Sequence, residues 1–393
     1  MEKTIVSFNN TETAFQSKAD KDLKRAYWLF KMLSYNWLVK LSPALVGSAL
    51  WLRLPILGII RATAFRHFCG GESIQDCQST IENLTSFNIG TILDYSVEGK
   101  ESEEDFDRSL EQTLSTITRA KGDSSIPFTV FKPSGVGSIA LLEKKNDGKL
   151  LSTEELERYS KFYKRIRTIC QAGFDNAVPI YIDAEESWIQ IVVDELAREM
   201  MMRFNTQKAI IYNTLQMYRH DRLHFLKSSI EHAKSNNYFL GIKMVRGAYM
   251  EKERERAKKL NYPSPIQENK EKTDIDYNAG IAMCLDNLEL AYLCAGTHNE
   301  KSCVLLTKIM AEKNIPNNHK HIWFSQLYGM SDHITFNLAK AGYNTSKYVP
   351  YGPIKSVIPY LIRRAQENTS VAGQTGRELS LIQSEMKRRN QLK

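Results

Sequence analysis

Along the 393-residue chain, the pattern of hydrophobic and polar positions changes texture near Gly90. Beyond that point short apolar runs of strand length alternate with longer amphipathic stretches. Eight runs read as β-strands: Thr91–Val97, Phe128–Lys132, Pro179–Asp183, Ala209–Tyr212, Gly241–Arg246, Ala291–Gly296, His321–Ser325 and Lys347–Val349. Stretches such as Ser102–Ala120, Thr153–Ala172, Glu186–Phe204, Asp221–Ser235, Lys301–Glu312 and Ser331–Ala341 carry helical spacing between them. Eight strands alternating with helices over about 280 residues predict an α/β fold, a (βα)8 TIM-type barrel. A doubly wound sheet competes, because alternation alone does not separate the two. No internal repeat or low-complexity linker interrupts the pattern.

Ahead of this region, residues 1–20 are polar and read as a mobile tail. From Asp22 to Trp37 a stripe of Leu23, Tyr27, Phe30 and Ser34 predicts a helix. The most apolar window follows, Leu41–Ile60. It is long enough to span a bilayer on paper, but Pro43, Pro55 and the central Arg53 oppose spanning. A helical arm is favoured, packed on the fold or touching a membrane surface. The expected organisation is a tail and helical arm over 1–87 and a barrel over 88–393.

Composition is that of an ordinary globular protein, 42% hydrophobic and 25% charged. The net charge of +8 admits anionic partners, but acidic residues are interleaved with basic ones, as in Glu251–Lys259. No nucleic-acid motif is present, so nucleic acid is not an expected partner. Six scattered cysteines without a CxxC pair suggest a reducing interior rather than a disulfide framework or zinc site. The N-terminus is neither a secretory signal nor an Arg-rich transit peptide, which makes the cytoplasm the expected location. Peripheral contact with the inner face of the cell membrane goes with the Leu41–Ile60 arm.

Polar and special residues gather at the C-terminal ends of the runs: Lys132, Asp183, Arg246 with Gly247-Ala248-Tyr249, Thr297-His298-Asn299, and Tyr348. In a barrel, active sites are built at that end. Asp183 and Lys132 facing inward fit either a site or a structural pair. Thr297-His298-Asn299 fits ligand hydrogen bonding and also a helix N-cap. Gly135–Ala140 matches GxGxxA, but the polar loop that follows is wrong for a dinucleotide fold. His220/His224 and His319/His321 lack a third ligand, and no metal is expected. Hydrolase and kinase signatures are absent.

Near the C-terminus, a helix after Gly352-Pro353 puts Tyr360, Arg363, Arg364 and Glu367 at i, i+3, i+4 and i+7, on one face. Two adjacent guanidinium forks suit a small carboxylate or phosphate, against the alternative of a solvated arginine pair. Pro359 predicts a kink or a later helix start.

Tyr348 followed by Tyr360-Leu361-Ile362-Arg363-Arg364-Ala365-Gln366-Glu367-Asn368 resembles the C-terminal signature of the proline dehydrogenase family. Ile182–Glu185, Lys243–Tyr249, Thr297–Asn299 and Leu327–Met330 match in the same order, so the resemblance covers Asn88 to Asn368. It implies a FAD-dependent, monofunctional enzyme on a (βα)8 barrel. Such an enzyme oxidises L-proline at C5 by hydride transfer to flavin N5, giving Δ1-pyrroline-5-carboxylate, and its electrons pass to a membrane quinone. On the matching positions, Lys132, Arg363 and Arg364 would bind the substrate carboxylate, and Leu327, Tyr348 and Tyr360 would wall its ring. Asp183 would be catalytic, oriented towards Arg364 or Lys132. Lys243 would be catalytic as well, lying near flavin N5, where many bacterial members have Arg. Ala184, Gln216, Lys243, Arg246, Gly247, Ala248, Thr297, His298, Asn299 and Glu367 would hold the flavin. Two rivals are another flavin barrel, such as a folate reductase, and a basic membrane-associated binding protein built around Leu41–Ile60.

Overall fold

The computed structural model describes residues 6–52, 55–97, 101–370 and 374–392. Its eight strands are β1 (Ile89–Tyr95), β2 (Phe128–Phe131), β3 (Ile180–Ile182), β4 (Ile211–Gln216), β5 (Leu240–Val245), β6 (Ala291–Gly296), β7 (Ile322–Leu327) and β8 (Thr345–Tyr351). They close into one barrel in sequence order. The recorded pairings are parallel, from Thr129 opposite Ile180 to Ile89 opposite Thr345. Closure decides for the TIM-type barrel and against the doubly wound sheet, because an open sheet would leave two edges.

Strand positions follow the apolar runs closely, with two displacements: β1 lies two residues earlier than the run Thr91–Val97, and β4 lies later than expected. The run expected at Ala209–Tyr212 is a strand over Ile211–Gln216, and all six of its residues are buried. Asn213, Thr214 and Gln216 look like loop residues in the sequence, yet they lie inside. Two of the three side chains are met by protein partners, Asn213 Nδ2 donating to Asp194 at 2.9 Å and Gln216 Nε2 to Glu185 O, whereas Thr214 Oγ1 is buried without one.

The described residues divide into one unit within 101–325 and another within 6–97 and 326–392. In the first, helices cover the strands. Helix Thr153–Asp175 opens with a complete capping box between Ser152 and Glu155. The GxGxxA stretch falls across two short helices, Pro133–Val136 and Ile139–Asn146, and is not a strand-to-helix phosphate loop. A side chain at Gly137 would strike the Phe162 ring, so that glycine serves packing.

The second unit departs from the expected tail. Phe8, Ala14 and Phe15 are buried, and the last two join Leu23, Ala26, Phe30, Leu381 and Ile382 in one apolar cluster. Arg389 donates to the Phe15 and Lys18 carbonyls at 2.9 and 2.8 Å. Two aromatic anchors in a polar stretch suffice to seat it, and a periodicity search does not register so few. The helix expected over Asp22–Trp37 runs Asp20–Leu33, and a second helix follows at Asn36–Trp51 with Pro43 inside it. The apolar window divides by residue: Leu57 and Ile60 pack against a core that includes Leu29, Phe65 and Tyr360, whereas Leu41, Leu45, Trp51, Leu52 and Ile59 are exposed. Arg53 lies outside the described residues. Among those described, no helix is long and apolar enough to cross a membrane.

Helix Ile354–Ser370 runs through Pro359 rather than starting after it. Proline removes the hydrogen bond to the carbonyl four residues back, that of Lys355. Pro359 and Lys355 are both exposed, so water can serve that carbonyl, and the buried side carrying Tyr360 and Arg364 is spared.

His67 links the N-terminal helices to the turn after β7. Its Nε2 lies 2.8 Å from the Gly329 carbonyl, and burial first, then the Lys18 charge, lower its pKa to about 4. The neutral ring therefore donates from Nε2. An unfolded histidine gains its proton near pH 6.5 and the folded one not until about 4. Between these values the unfolded state binds more protons, and stability falls as the pH falls. His67→Gln, which keeps a donor for Gly329, should flatten the decline in denaturant midpoint between pH 6.5 and 4. Equal slopes in the two proteins would refute this role.

Candidate active site

In the first unit the C-terminal ends of successive strands carry charge. Lys243 sits inside β5 and is buried, and its Nζ forms an ion pair with Asp183, just past β3, at 2.5 Å. The ammonium also lies 5.2 Å from the centre of the Tyr181 ring. The resemblance expects Asp183 to be oriented towards Arg364 or Lys132; the ion pair with Lys243 adds a partner that the motifs did not suggest. A lysine withdrawn from water needs such a carboxylate to keep its charge.

Arg246, one residue past β5, is tied in three directions: Nε to Asp274 at 2.7 Å, Nη1 to Thr297 Oγ1 at 2.6 Å and Nη2 to Ser302 Oγ at 2.9 Å. Its guanidinium stacks over Tyr277 at 4.4 Å. Burial works against the Asp274 carboxylate, but Lys270 and Arg246 outweigh it and hold its pKa low. Asn299 caps helix Glu300–Glu312 by accepting from Ser302 N at 3.1 Å, and Thr297 Oγ1 accepts from Asn299 N. The capping alternative for this triplet is therefore met by Asn299, while Thr297 orients Arg246. His298 is half-buried. Gly247 adopts φ +130°, and a side chain there would meet the Tyr218 ring at 2.6 Å. Ala248 beside it is exposed and Ala184 half-buried.

Sequence reasoning quoted Glu185 in its motif without giving it a role. It is buried and accepts from both the amide of Ser134, at 2.7 Å, and the Ser134 hydroxyl. It thereby fixes the turn that begins at Lys132, itself half-buried. Burial, then the neighbouring Glu186, raises the Glu185 pKa to about 7. Gln190 receives the Glu185 amide at 3.1 Å and passes a hydrogen bond to Asp194, which pairs with Arg222 at 2.6 Å. A second acidic residue three positions past a buried strand was the available signal.

In the second unit, Tyr360 and Arg364 are buried one turn apart, the guanidinium 5.2 Å from the Tyr360 ring centre, and Arg363 beside them is half-buried. This excludes a fully solvated arginine pair. Tyr348, within β8, is buried and Leu327, ending β7, half-buried. The backbone joins the end of β7 to the middle of β8, Tyr328 N donating to Tyr348 O at 2.9 Å. Glu367 falls on the same helix, but its side chain lies outside the described set.

The family model described as "Proline dehydrogenase" matches residues 77–377. The chain belongs to the proline dehydrogenase family. As a member it is an oxidoreductase of proline catabolism. It is 36% identical over 325 residues to the carbapenem antibiotics biosynthesis protein CarD of Pectobacterium carotovorum, covering 82% of this chain and 83% of that one. To the mitochondrial proline dehydrogenase 1 of Dictyostelium discoideum it is 31% identical over 426 residues, covering 97% and 74%. The crystal structure of proline utilization A from Bdellovibrio bacteriovorus, inactivated by N-propargylglycine, superposes with TM-score 0.72 at 20% identity. That match covers 92% of this chain and 38% of the larger one, and supports the fold.

For this family member the donor set of the first unit suits a flavin. Lys243 and Arg246 supply fixed cations, and Gly247 is confined to glycine by its φ and by Tyr218. Gly247→Ala should destabilise the protein by about 1–3 kcal/mol through strain alone. Its thermal midpoint should drop and less flavin should copurify, whereas Ala248→Gly should leave both near wild type. A Gly247→Ala protein as stable as its parent would show that the turn relaxes freely.

Proposed function

We propose that this chain oxidises L-proline to Δ1-pyrroline-5-carboxylate with FAD. FAD, when bound, would supply the two-electron acceptor for the hydride from proline C5 at N5, with the proline nitrogen's proton leaving to solvent or a base and a membrane quinone reoxidising the flavin. The observation that carries the reading is the buried face of Tyr360 and Arg364 with Arg363 alongside: two guanidinium groups and a ring on one helix match a substrate made of a carboxylate and a small apolar ring. Arginine cannot shed its charge when water is excluded, and its fork binds a carboxylate through two parallel hydrogen bonds. In this reading Arg363 and Arg364 hold the carboxylate with help from Lys132, while Leu327, Tyr348 and Tyr360 bound the ring. Asp183 acts by orienting Lys243, which with Arg246, Gln216, Thr297, His298, Asn299, Glu367 and the Ala184 and Gly247-Ala248 backbone holds the flavin.

Removing one member of a desolvated charge pair costs about 2–5 kcal/mol. Arg363→Met and Arg364→Met should each raise the KM for proline by orders of magnitude while FAD stays bound, and Arg→Lys should restore only part. Anaerobic addition of L-proline should bleach the flavin of the wild type. A near-normal KM in flavin-loaded methionine variants would end this assignment.

Membrane contact forms part of the same proposal. Trp37, Leu41, Leu45 and Leu52 follow one another at near-helical spacing and are all exposed, as are Trp28 and Trp51, the latter at 83%. Lys31 stands 5.0 Å over the Trp28 ring, and Arg61 and Arg66 are exposed. Aromatic and aliphatic side chains beside basic ones suit an anionic lipid surface. A triple variant, Trp37→Ser, Leu41→Ser and Trp51→Ser, should lose binding to vesicles of anionic phospholipid and keep turnover with a soluble electron acceptor. Undiminished vesicle binding would relocate the contact elsewhere.

A further inference from the structure

Within the second unit, two ammonium groups and a carboxylate are gathered behind the side chains assigned to the substrate ring. Lys347, adjacent to Tyr348 on β8, is 1% exposed. Its three donors all find oxygen: Asp332 Oδ1 at 2.8 Å, the Met330 carbonyl at 2.5 Å and the Leu327 carbonyl at 3.4 Å. Lys18, from the N-terminal segment, meets the other oxygen of Asp332 at 3.0 Å. Behind the same turn, buried Glu378 accepts from the Ser331 amide, and the His333 ring lies 3.9 Å from that carboxylate. Burial alone would raise the Asp332 carboxyl, but the Lys18 and Lys347 charges reverse this and hold it well below the usual carboxylate range.

Side chains alternate across a strand, so Lys347 and Tyr348 leave β8 on opposite faces. Lys347 reaches back to the Leu327 carbonyl, and the Tyr348 carbonyl receives the Tyr328 amide. The end of β7 is therefore bound to the middle of β8 twice, once by backbone and once by a buried charge. We propose that Lys347, held in place by Asp332 and Lys18, is a positioning residue that sets the separation of Leu327 and Tyr348 and with it the fit of the substrate ring. The inference rests on the assignment of Leu327 and Tyr348 to that ring. It gives the N-terminal segment, which precedes the family match, a part in substrate affinity. Asp332 has two oxygens and two ammonium partners. Loss of Lys18 leaves Lys347 sharing a carboxylate with one oxygen unmet, and the carboxylate can then turn away from the Leu327–Met330 turn.

The test uses the full-length, flavin-loaded enzyme. Lys18 lies at the edge of the cluster, so Lys18→Met is the mildest cut. It should raise the KM for L-proline several-fold at unchanged kcat and flavin content, and Lys18→Arg should restore it. Lys347→Arg, which keeps the charge but cannot seat its fork on three converging acceptors, should shift KM in the same direction. Propionate, a carboxylate without a ring, should inhibit Lys18→Met and the wild type to the same degree, because the arginines are untouched. Tyr348→Ser is measured alongside. If it raises the KM for proline and Lys18→Met does not, the positioning inference alone falls. A Tyr348→Ser enzyme with unchanged KM removes the ring assignment and the inference with it. Equal weakening of proline and propionate in Lys18→Met would mean general damage and would also overturn the inference.

Discussion

A lysine or arginine withdrawn from water needs a counter-charge or a set of hydrogen-bond acceptors, because a lone buried charge costs far more than any packing it allows. The strand ends of this barrel obey that constraint one cation at a time. Lys243 has Asp183, Arg246 has Asp274, Lys347 shares Asp332 with Lys18, and Arg222 has Asp194. Breaking a single pair leaves its partner stranded, so these pairs bear on specificity of structure more than on net stability. The strands fix the backbone; the pairs fix which way the cations point.

The segment 183–186 shows how closely like charges can be placed under the same constraint. Asp183, Glu185 and Glu186 fall within four residues, and each has a different partner: Lys243, the amide and hydroxyl of Ser134, and Lys252. Dispersal limits their mutual repulsion, though the Glu185 pKa still rises to about 7 through burial and through Glu186. Glu253, from helix Met250–Leu260, accepts both the amide and the hydroxyl of Ser187, each at 2.6 Å, and so caps the helix that follows. Acidic side chains from distant positions thus do the work of local caps, and they tie the turns after β2 and β3 to their neighbours.

The barrel was legible because its strands are buried on both faces and read as apolar runs. Legibility failed where burial is polar. Asn213, Thr214 and Gln216 in β4 broke the run early, although each lies within the barrel wall. The arginine face of helix Ile354–Ser370 was readable from 3.6-residue spacing, since its members are neighbours in sequence. The partners of Asp183 and Lys347 were not, because Lys243 and Asp332 come from other elements, and no local pattern encodes a long-range ion pair. The N-terminal segment was misread for a related reason: Phe8 and Phe15 seat it, and Lys18 and two carbonyls anchor it, but none of these repeats with a period.

The apolar arm poses a problem of solvation that the barrel does not. Among the described side chains of helix Asn36–Trp51, Trp37, Leu41 and Leu45 face water while Val39 is buried. Single exposed apolar residues are ordinary, but a contiguous stripe is not, since each side chain left in water forgoes about 1.5–3 kcal/mol of burial. Insufficient core does not explain it, because Leu57 and Ile60 in the same window pack inward. A stripe that spends its apolar surface on solvent fits a surface that is covered in use. Its tryptophans and flanking basic residues favour a lipid interface as the cover, since such an interface accepts an apolar ring below and an ammonium group above at the same depth.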